Sequence, residues 1–257
     1  MALARLWRVD PTGELVSGVL RDTAAEQAAN ATTARWLDLI GPDVRRCVMV
    51  AALLQLLQQF TGINAVIYYA SSIFYDAGFK TTSRNMLATT LVAGIQVLVT
   101  GLSSLIVERA GRRSLLLCSA LTMAVGLGAM GIFSLKTVHL PNALSIVIIM
   151  VYISAFSLGF GPVPWVLASE ILPTHIRGKA TSLALLVNWM SNYVVAQTFP
   201  LMSDSLGSAA TFWFYAAWNV AAAVFVFFFV RETKGKSLEE IALLYGPASA
   251  RKPINHA

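Results

Sequence analysis

The fold class is decided by a run of 33 residues without a charge, residues 137–169, which reads TVHLPNALSIVIIMVYISAFSLGFGPVPWVLAS. Its apolar residues do not alternate with polar ones, as they would in a strand of a membrane barrel. About 20 residues of helix cross a hydrocarbon layer roughly 30 Å thick, so this run is long enough to span it. The stretch therefore predicts a transmembrane helix.

Five further stretches lack charge, and together the six hold 157 of the 257 residues. Only 12% of the chain is charged, against about 25% in an ordinary soluble domain. We predict an all-α membrane protein with a six-helix transmembrane bundle over residues 47–230. The expected spans are about 48–69, 87–107, 115–135, 144–166, 180–202 and 211–230.

The basic residues are divided unevenly between the two sides of such a bundle. Sixteen of the 19 lie on the side of both termini, whereas Lys80, Arg84 and Lys136 lie on the other. The positive-inside rule then predicts a multi-pass protein in a lipid bilayer, with a cytosolic segment 1–46 and a cytosolic tail 231–257. Within 1–46, residues 35–46 predict a short interfacial helix with a break at Gly41-Pro42, and a plain linker is the alternative. Basic residues spread over four segments argue against a nucleic-acid partner.

Side-chain amides lie inside the predicted spans, where lipid offers them no hydrogen-bond partner, and two spans carry most of them. In the first span Gln55, Gln58 and Gln59 share one helix face, and Asn64 joins that face only if the helix loosens at Thr61-Gly62. Asn188 and Asn192 share a face of the fifth span, and Gln96 lies in the second. These amides predict a ligand cavity, and hydrogen bonds between helices are the alternative.

The fourth span contains Gly159, Gly161, Pro162 and Pro164 just ahead of Trp165. Each proline removes a backbone donor and clashes with the preceding turn, so we predict a broken or kinked helix. Broken helices serve as hinges and binding sites in transporters, although a static kink fits the same composition.

Acidic and basic residues occur together beyond three spans on the cytosolic side. They form the patterns Glu108-Arg109-x-Gly111-Arg112-Arg113, Glu170 with Arg177, and Arg231-Glu232-Thr233-Lys234-Gly235. They would either link helix ends or act as solvated topogenic charge. Two cysteines and three scattered histidines predict no metal site, and neither a nucleophile-base pair nor a phosphate loop is visible. We therefore expect no cofactor and no enzyme activity.

These motifs resemble the carboxyl-terminal half of a sugar porter, the hexose-transporter family of the major facilitator superfamily. The resemblance covers roughly residues 35–245. The matching motifs are QQFTGIN at 58–64, ERAGRR at 108–113, GFGPVPW at 159–165, Asn188-Trp189 with Asn192, and ETKG at 232–235. The family has twelve spans in two six-helix halves, and its substrate sites lie between the halves.

The resemblance implies transport of a monosaccharide, with hexose favoured, by alternating access. The implied substrate-binding residues are Gln58, Gln59, Asn64, Gln96, Trp165, Asn188 and Asn192. The implied gating residues are Tyr68, Tyr69, Gly161, Pro162 and Pro164. The implied cytosolic salt-bridge network consists of Glu108, Arg109, Arg112, Arg113, Glu170, Arg177 and Glu232.

The resemblance also implies a second half, because the first six helices of the family have no counterpart here. We expect a fragment of a transporter, with a non-transporting sugar sensor or an inactive truncated product as alternatives. The sequence leaves open the choice between hexose, pentose and polyol, the choice between uniport and proton symport, and the membrane in which the protein resides.

Overall fold

The structure is a computed structural model that describes residues 35–135 and 141–245, together with residues 18 and 21. Every regular element from residue 35 onward in these ranges is a helix. The chain begins there with a 3-10 helix, Trp36–Ile40. It continues with α1 (Arg45–Phe60), α2 (Ile63–Tyr68), α3 (Ala70–Asp76), α4 (Thr82–Ala110), α5 (Arg112–Phe133), α6 (Asn142–Leu158), α7 (Val163–Ile171), α8 (Arg177–Leu206), α9 (Ser208–Phe229) and α10 (Leu238–Tyr245).

Within the described residues, five helical spans are long and apolar enough to cross a membrane. They are Arg45–Tyr68, Thr82–Ser103, Arg112–Phe133, Asn142–Ile171 and Ser208–Phe229. The remaining predicted span, residues 180–202, corresponds to α8, whose 30 residues give about 45 Å of helix. α8 is not among these five, and it carries Asn188 and Asn192 in its middle. The predicted all-α membrane fold is confirmed.

Two of the spans are broken, as their glycines and prolines predict. The first breaks after Phe60, where Gly62 takes a positive φ of 89° that other residues rarely adopt. The fourth breaks between α6 and α7. Pro164 lies in the first turn of α7, where backbone N–H groups have no partner within the helix, so the missing N–H of proline costs no hydrogen bond. Helical structure extends a few residues past most of the predicted spans, because polar helix ends continue beyond the hydrocarbon layer.

The bundle packs unevenly around one apolar core. α9 lies along α5, and α8 lies along α1. In the most apolar part of the Arg45–Tyr68 span 67% is buried inside the protein, whereas in α4 only 17% is buried. α4 instead presents a row of exposed apolar side chains, namely Met86, Leu87, Leu91, Val97, Leu98, Leu102 and Leu105.

The segments that flank the bundle contain short helices, and the first has a break at Gly41, where the sequence predicts one. Helix in the predicted 35–46 segment is limited to Trp36–Ile40, and Arg45 already begins α1. Gly41 takes an extended conformation because the following proline disfavours helix there. The predicted tail contains a helix, α10, that was not predicted. Its signal is Ser237-x-x-Glu240, whose side chains bond each other's backbone N–H groups as a capping box.

Candidate functional site

Four side-chain amides from two helices meet where α1 packs against α8. Gln58 and Gln59 of α1 face Asn188 and Asn192 of α8, and all four are between 4% and 7% exposed. Gln59 Nε2 donates to Asn188 Oδ1 over 3.0 Å, and Asn188 Nδ2 donates to Gln58 Oε1 over 2.8 Å. Asn192 Nδ2 donates to Gln59 Oε1 over 3.2 Å. The two predicted amide faces are therefore directly paired.

Asn64 joins this group because α1 and α2 are separate helices. Its Nδ2 donates to Gln59 Oε1 over 2.6 Å, although a regular helix would point the two side chains apart. The break at Thr61 and Gly62 turns α2 enough to bring Asn64 back. This confirms the expectation that a loosened helix would return Asn64 to the amide face.

The second helix break lies on the other side of Gln58. Gln58 Nε2 donates to the carbonyl of Phe160 over 2.6 Å and to that of Gly161 over 3.0 Å. Because the break between α6 and α7 frees these carbonyls from the helical ladder, they need partners inside the protein. Gln58 thus connects the amides to the broken fourth span, just ahead of the half-exposed Trp165.

Gln55 also belongs to this group, although the sequence analysis did not include it among the implied sugar contacts. It is fully buried, and its Oε1 accepts a hydrogen bond from Asn188 Nδ2 over 2.7 Å. Its Nε2 is buried without a partner in the structure. The signal was its spacing, three and four residues before Gln58 and Gln59. We call Gln55, Gln58, Gln59, Asn64, Asn188 and Asn192 the amide cluster.

Of the other residues implied by the resemblance, Tyr68 lies next to the amide cluster, whereas in the described structure Tyr69 and Gln96 do not bond to it. The hydroxyl of Tyr68 accepts a long bond of 3.5 Å from Asn192 Nδ2, so Tyr68 borders the cluster. Tyr69 points elsewhere, donates to the carbonyl of Ala196 and stacks on Phe199. Within the described residues, Gln96 on the exposed helix α4 has no hydrogen bond to the amide cluster.

The charged residues that the resemblance assigns to a salt-bridge network lie at one end of the bundle, which we call the charged end. There Arg112 Nη2 and Glu170 Oε1 form an ion pair of 2.9 Å, and Arg112 Nε adds a hydrogen bond of 3.2 Å. The hydroxyl of Thr233 donates to Glu170 Oε2 over 2.6 Å. Glu170 therefore connects the start of α5 and the end of α7 to the segment after α9.

Glu232 contacts the first turn of α5 instead of a basic side chain. Its carboxylate accepts the backbone N–H of Arg112 over 2.9 Å and that of Arg113 over 3.1 Å. It also accepts the N–H groups of Thr233 and Lys234. Burial alone would raise the pKa of Glu232, but these four hydrogen bonds prevail and lower it. Glu232 thus supplies the cap and the negative charge that a helix amino terminus favours.

The other charged residues implied by the resemblance bond mainly to the backbone. Arg113 donates to the carbonyl of Phe227, Arg177 donates to that of Leu172, and the carbonyl of Arg109 accepts from Lys234 Nζ. The side chain of Glu108 lies outside the described part of the structure. Among the residues the structure covers, the expected salt-bridge network contains a single ion pair, that of Arg112 with Glu170.

We expect Glu232→Gln to lower stability at neutral pH by about 1 kcal/mol, because it removes the charge at the start of α5. The pKa of Glu232 is lowered in the folded protein, so its stabilisation is present at neutral pH and is lost as the pH falls through the native pKa. Thermal unfolding in detergent should therefore show less acid destabilisation in the variant. Asp204→Asn alters an exposed carboxylate and serves as the control. Equal acid sensitivity in Glu232→Gln and the unmodified protein would contradict this role.

A family model described as "Sugar (and other) transporter" matches residues 2–245. The chain belongs to the sugar transporter family. Among similar proteins, it is 44% identical over 219 residues to the sugar transporter ERD6-like 7 of Arabidopsis thaliana. It is 38% identical over 213 residues to the D-xylose-proton symporter of Escherichia coli. These alignments cover 83% and 79% of this chain but 46% and 42% of the two relatives.

Solved structures of a sugar transporter show the same relationship. The proton:xylose symporter XylE bound to 6-bromo-6-deoxy-D-glucose matches with a TM-score of 0.73 at 34% identity, over 88% of this chain and 49% of that one. The inward-open XylE from Escherichia coli matches with a TM-score of 0.72 at 31% identity, over 93% and 48% of the two chains. The chain therefore spans about half the length of the relatives it matches. This result confirms the resemblance to one half of a major facilitator protein.

Proposed function

We propose that this sugar transporter family member supplies the sugar-contacting half of a monosaccharide transport pathway. The observation that carries the proposal is the amide cluster, held between two helices and next to two helix breaks. The relatives support a sugar substrate, since their names include a D-xylose-proton symporter, a galactose-proton symporter and a facilitated trehalose transporter. We favour a hexose, and a pentose is the closest competitor.

Amides suit sugar hydroxyls because each carries an acceptor oxygen and two donor hydrogens. In the structure most of these groups bond to one another, so a sugar would exchange amide–amide bonds for amide–hydroxyl bonds. Such an exchange conserves the number of hydrogen bonds and gives a modest net free energy. That balance favours both binding and release, which a transporter needs. Tyr68 borders the cluster, Trp165 follows the carbonyl of Gly161 by four residues, and both are exposed, so they would offer apolar surface for the sugar ring.

A second six-helix body would complete the pathway. Trp165, Tyr68 and Trp189 are large and exposed, and Tyr68 borders the amide cluster through Asn192. In this architecture the two halves are related by an axis along the membrane normal, and the substrate lies between them. We therefore propose that the amide cluster faces a partner half, on the same or another polypeptide. No carboxylate lies within the six charge-free stretches, so a proton-coupling group would belong to that partner half.

The charged end would face the cytosol, with both termini on that side, as the positive-inside rule favours. There Glu170 joins Arg112 to Thr233 and so ties three helix ends together. Such a connection would hold that end closed in one state of the cycle and release it in another. Gly161, Pro162 and Pro164, at the α6–α7 break, would let the fourth span bend as it opens.

Radiolabelled sugar uptake into proteoliposomes tests the proposal. The full chain would be compared with the same chain fused to a six-helix amino-terminal half, using D-glucose, D-xylose and D-galactose. We expect saturable uptake by the fused protein only, with D-glucose or D-galactose preferred to D-xylose. Uptake by the chain alone would contradict the need for a second half. Absence of uptake and of binding for all three sugars in the fused protein would contradict the proposed function.

A further inference from the structure

The break between α1 and α2 leaves the backbone carbonyl of Thr61 outside the helical ladder. Gly62 turns the chain through its positive φ, and the N–H of Gly62 bonds to Gln59 instead of continuing the α-helical pattern. Thr61 itself is fully buried. A buried carbonyl in a membrane protein needs a partner from within the protein, because lipid supplies none.

Two side chains from two other helices supply that partner. The hydroxyl of Tyr152, on α6, donates to the Thr61 carbonyl over 3.0 Å. Asn219 Nδ2, on α9, donates to the same oxygen over 3.0 Å. Both residues are fully buried, and neither was singled out by the sequence motifs. The carbonyl is thus held from two directions by elements that lie outside the amide cluster.

The surroundings leave this bend little freedom. A Cβ added at Gly62 would lie 3.0 Å from the ring of Tyr215, so α9 packs directly against the turn. The hydroxyl of Thr61 donates to the carbonyl of Gln58 over 2.6 Å, which closes the last turn of α1. Because α2 starts at this bend, the bend sets where Asn64 and Tyr68 lie relative to Gln59.

We propose that Tyr152 and Asn219 are positioning residues that clamp the α1–α2 bend through the Thr61 carbonyl. By fixing the bend, they hold Asn64 and Tyr68 against the amide cluster. The clamp is a property of the fold, and only its consequence for sugar rests on the proposed function. Neither side chain would touch the sugar.

A shared acceptor has a distinctive consequence for mutants. Removing one donor leaves the other, so Tyr152→Phe or Asn219→Leu alone should have a small effect. Asn219→Leu also removes Asn219 Oδ1, a buried oxygen without a described partner, which further limits its cost. The double variant leaves the carbonyl unpaired. Its effect on sugar affinity should exceed the product of the two single effects by about tenfold.

Distances between spin labels test the clamp without any sugar. The full chain would carry Cys118→Ser, with cysteines introduced at the exposed positions Met49 on α1 and Ser72 on α3, while the buried Cys47 is kept. We expect one narrow distance distribution for the unmodified bend and for each single variant, and a broadened or shifted one for the double variant. Tyr193→Phe, which removes an exposed hydroxyl on α8, is the control.

Equilibrium binding of radiolabelled D-glucose and D-xylose to the full chain fused to a six-helix amino-terminal half gives the second measurement. A double variant with a narrow, unshifted distribution and multiplicative effects on affinity would overturn the clamp. If the double variant does not fold, the same spin-label distances are measured in a second double variant, Tyr152→Phe with Asn219→Ser. The serine keeps a hydroxyl donor on α9. If the distances follow the expected pattern while the fused protein with an unmodified bend binds neither sugar, the clamp stands and the proposed function fails.

Discussion

Sugar binding is expected to weaken by roughly 30- to 700-fold when Gln58 and Asn188 are both replaced by alanine, a loss of about 2–4 kcal/mol. Each residue bonds the other, and each also bonds a further part of the site. Gln58 holds the carbonyls of Phe160 and Gly161, whereas Asn188 bonds Gln55 and Gln59. The double change therefore removes two proposed sugar contacts and leaves four groups of the site short of a partner.

The measurement is equilibrium binding of radiolabelled D-glucose and D-xylose to purified protein in detergent. Gln197→Ala removes an exposed amide from the same helix as Asn188 and should leave binding unchanged. Unaltered affinity in the Gln58→Ala and Asn188→Ala double variant would show that the sugar binds elsewhere. Equal loss in the Gln197→Ala control would point to a general disturbance of α8.

A large loss of stability is expected for Gly159→Ala, about 2–3 kcal/mol, because the helices around the second break approach too closely for a side chain. An added Cβ would lie 2.4 Å from Ser119 Cβ and 2.6 Å from the carbonyl oxygen of Leu115. The carbonyl belongs to the backbone of α5 and cannot rotate away. Moving α5 would also disturb Ser119, whose hydroxyl donates to Ala155 and accepts the N–H of Phe160.

Unfolding in detergent, followed by heat or by denaturant, measures this effect. Gly94→Ala is the matched control, since a Cβ on that residue of α4 would have no neighbour within 4 Å. Because alanine favours helix over glycine by roughly 1 kcal/mol, the control should be as stable as the unmodified protein or slightly more so. Equal stability of the two variants would mean that the approach of α5 to the break is looser than the structure has it.

The sequence predicted well those features that depend on neighbours along one helix. Helical periodicity placed Gln58 beside Gln59 and Asn188 beside Asn192, and the Thr61-Gly62 pair correctly indicated the turn that returns Asn64 to the site. The composition of each span indicated the membrane fold. These features are local, so a single helix carries enough information to predict them.

Features that depend on distant parts of the chain could not be predicted in this way. Nothing in the pattern around Tyr152 or Asn219 indicates that both reach the carbonyl of Thr61. The spacing of Arg177 fits an ion pair as well as the bond it makes to the backbone of Leu172. The fraction of α4 that is buried also depends on which helices lie beside it, and sequence periodicity does not contain that information.

The cap of α5 has a consequence for the order of folding. Glu232 lies 120 residues beyond the N–H of Arg112 that it accepts. Because a chain is synthesised from its amino terminus, α5 enters the membrane long before its cap exists. The N–H groups in the first turn of α5 therefore lack this acceptor until α9 has been inserted. Closure of the charged end is a late step in biogenesis, and a chain shortened before residue 232 would keep its six spans but never complete that end.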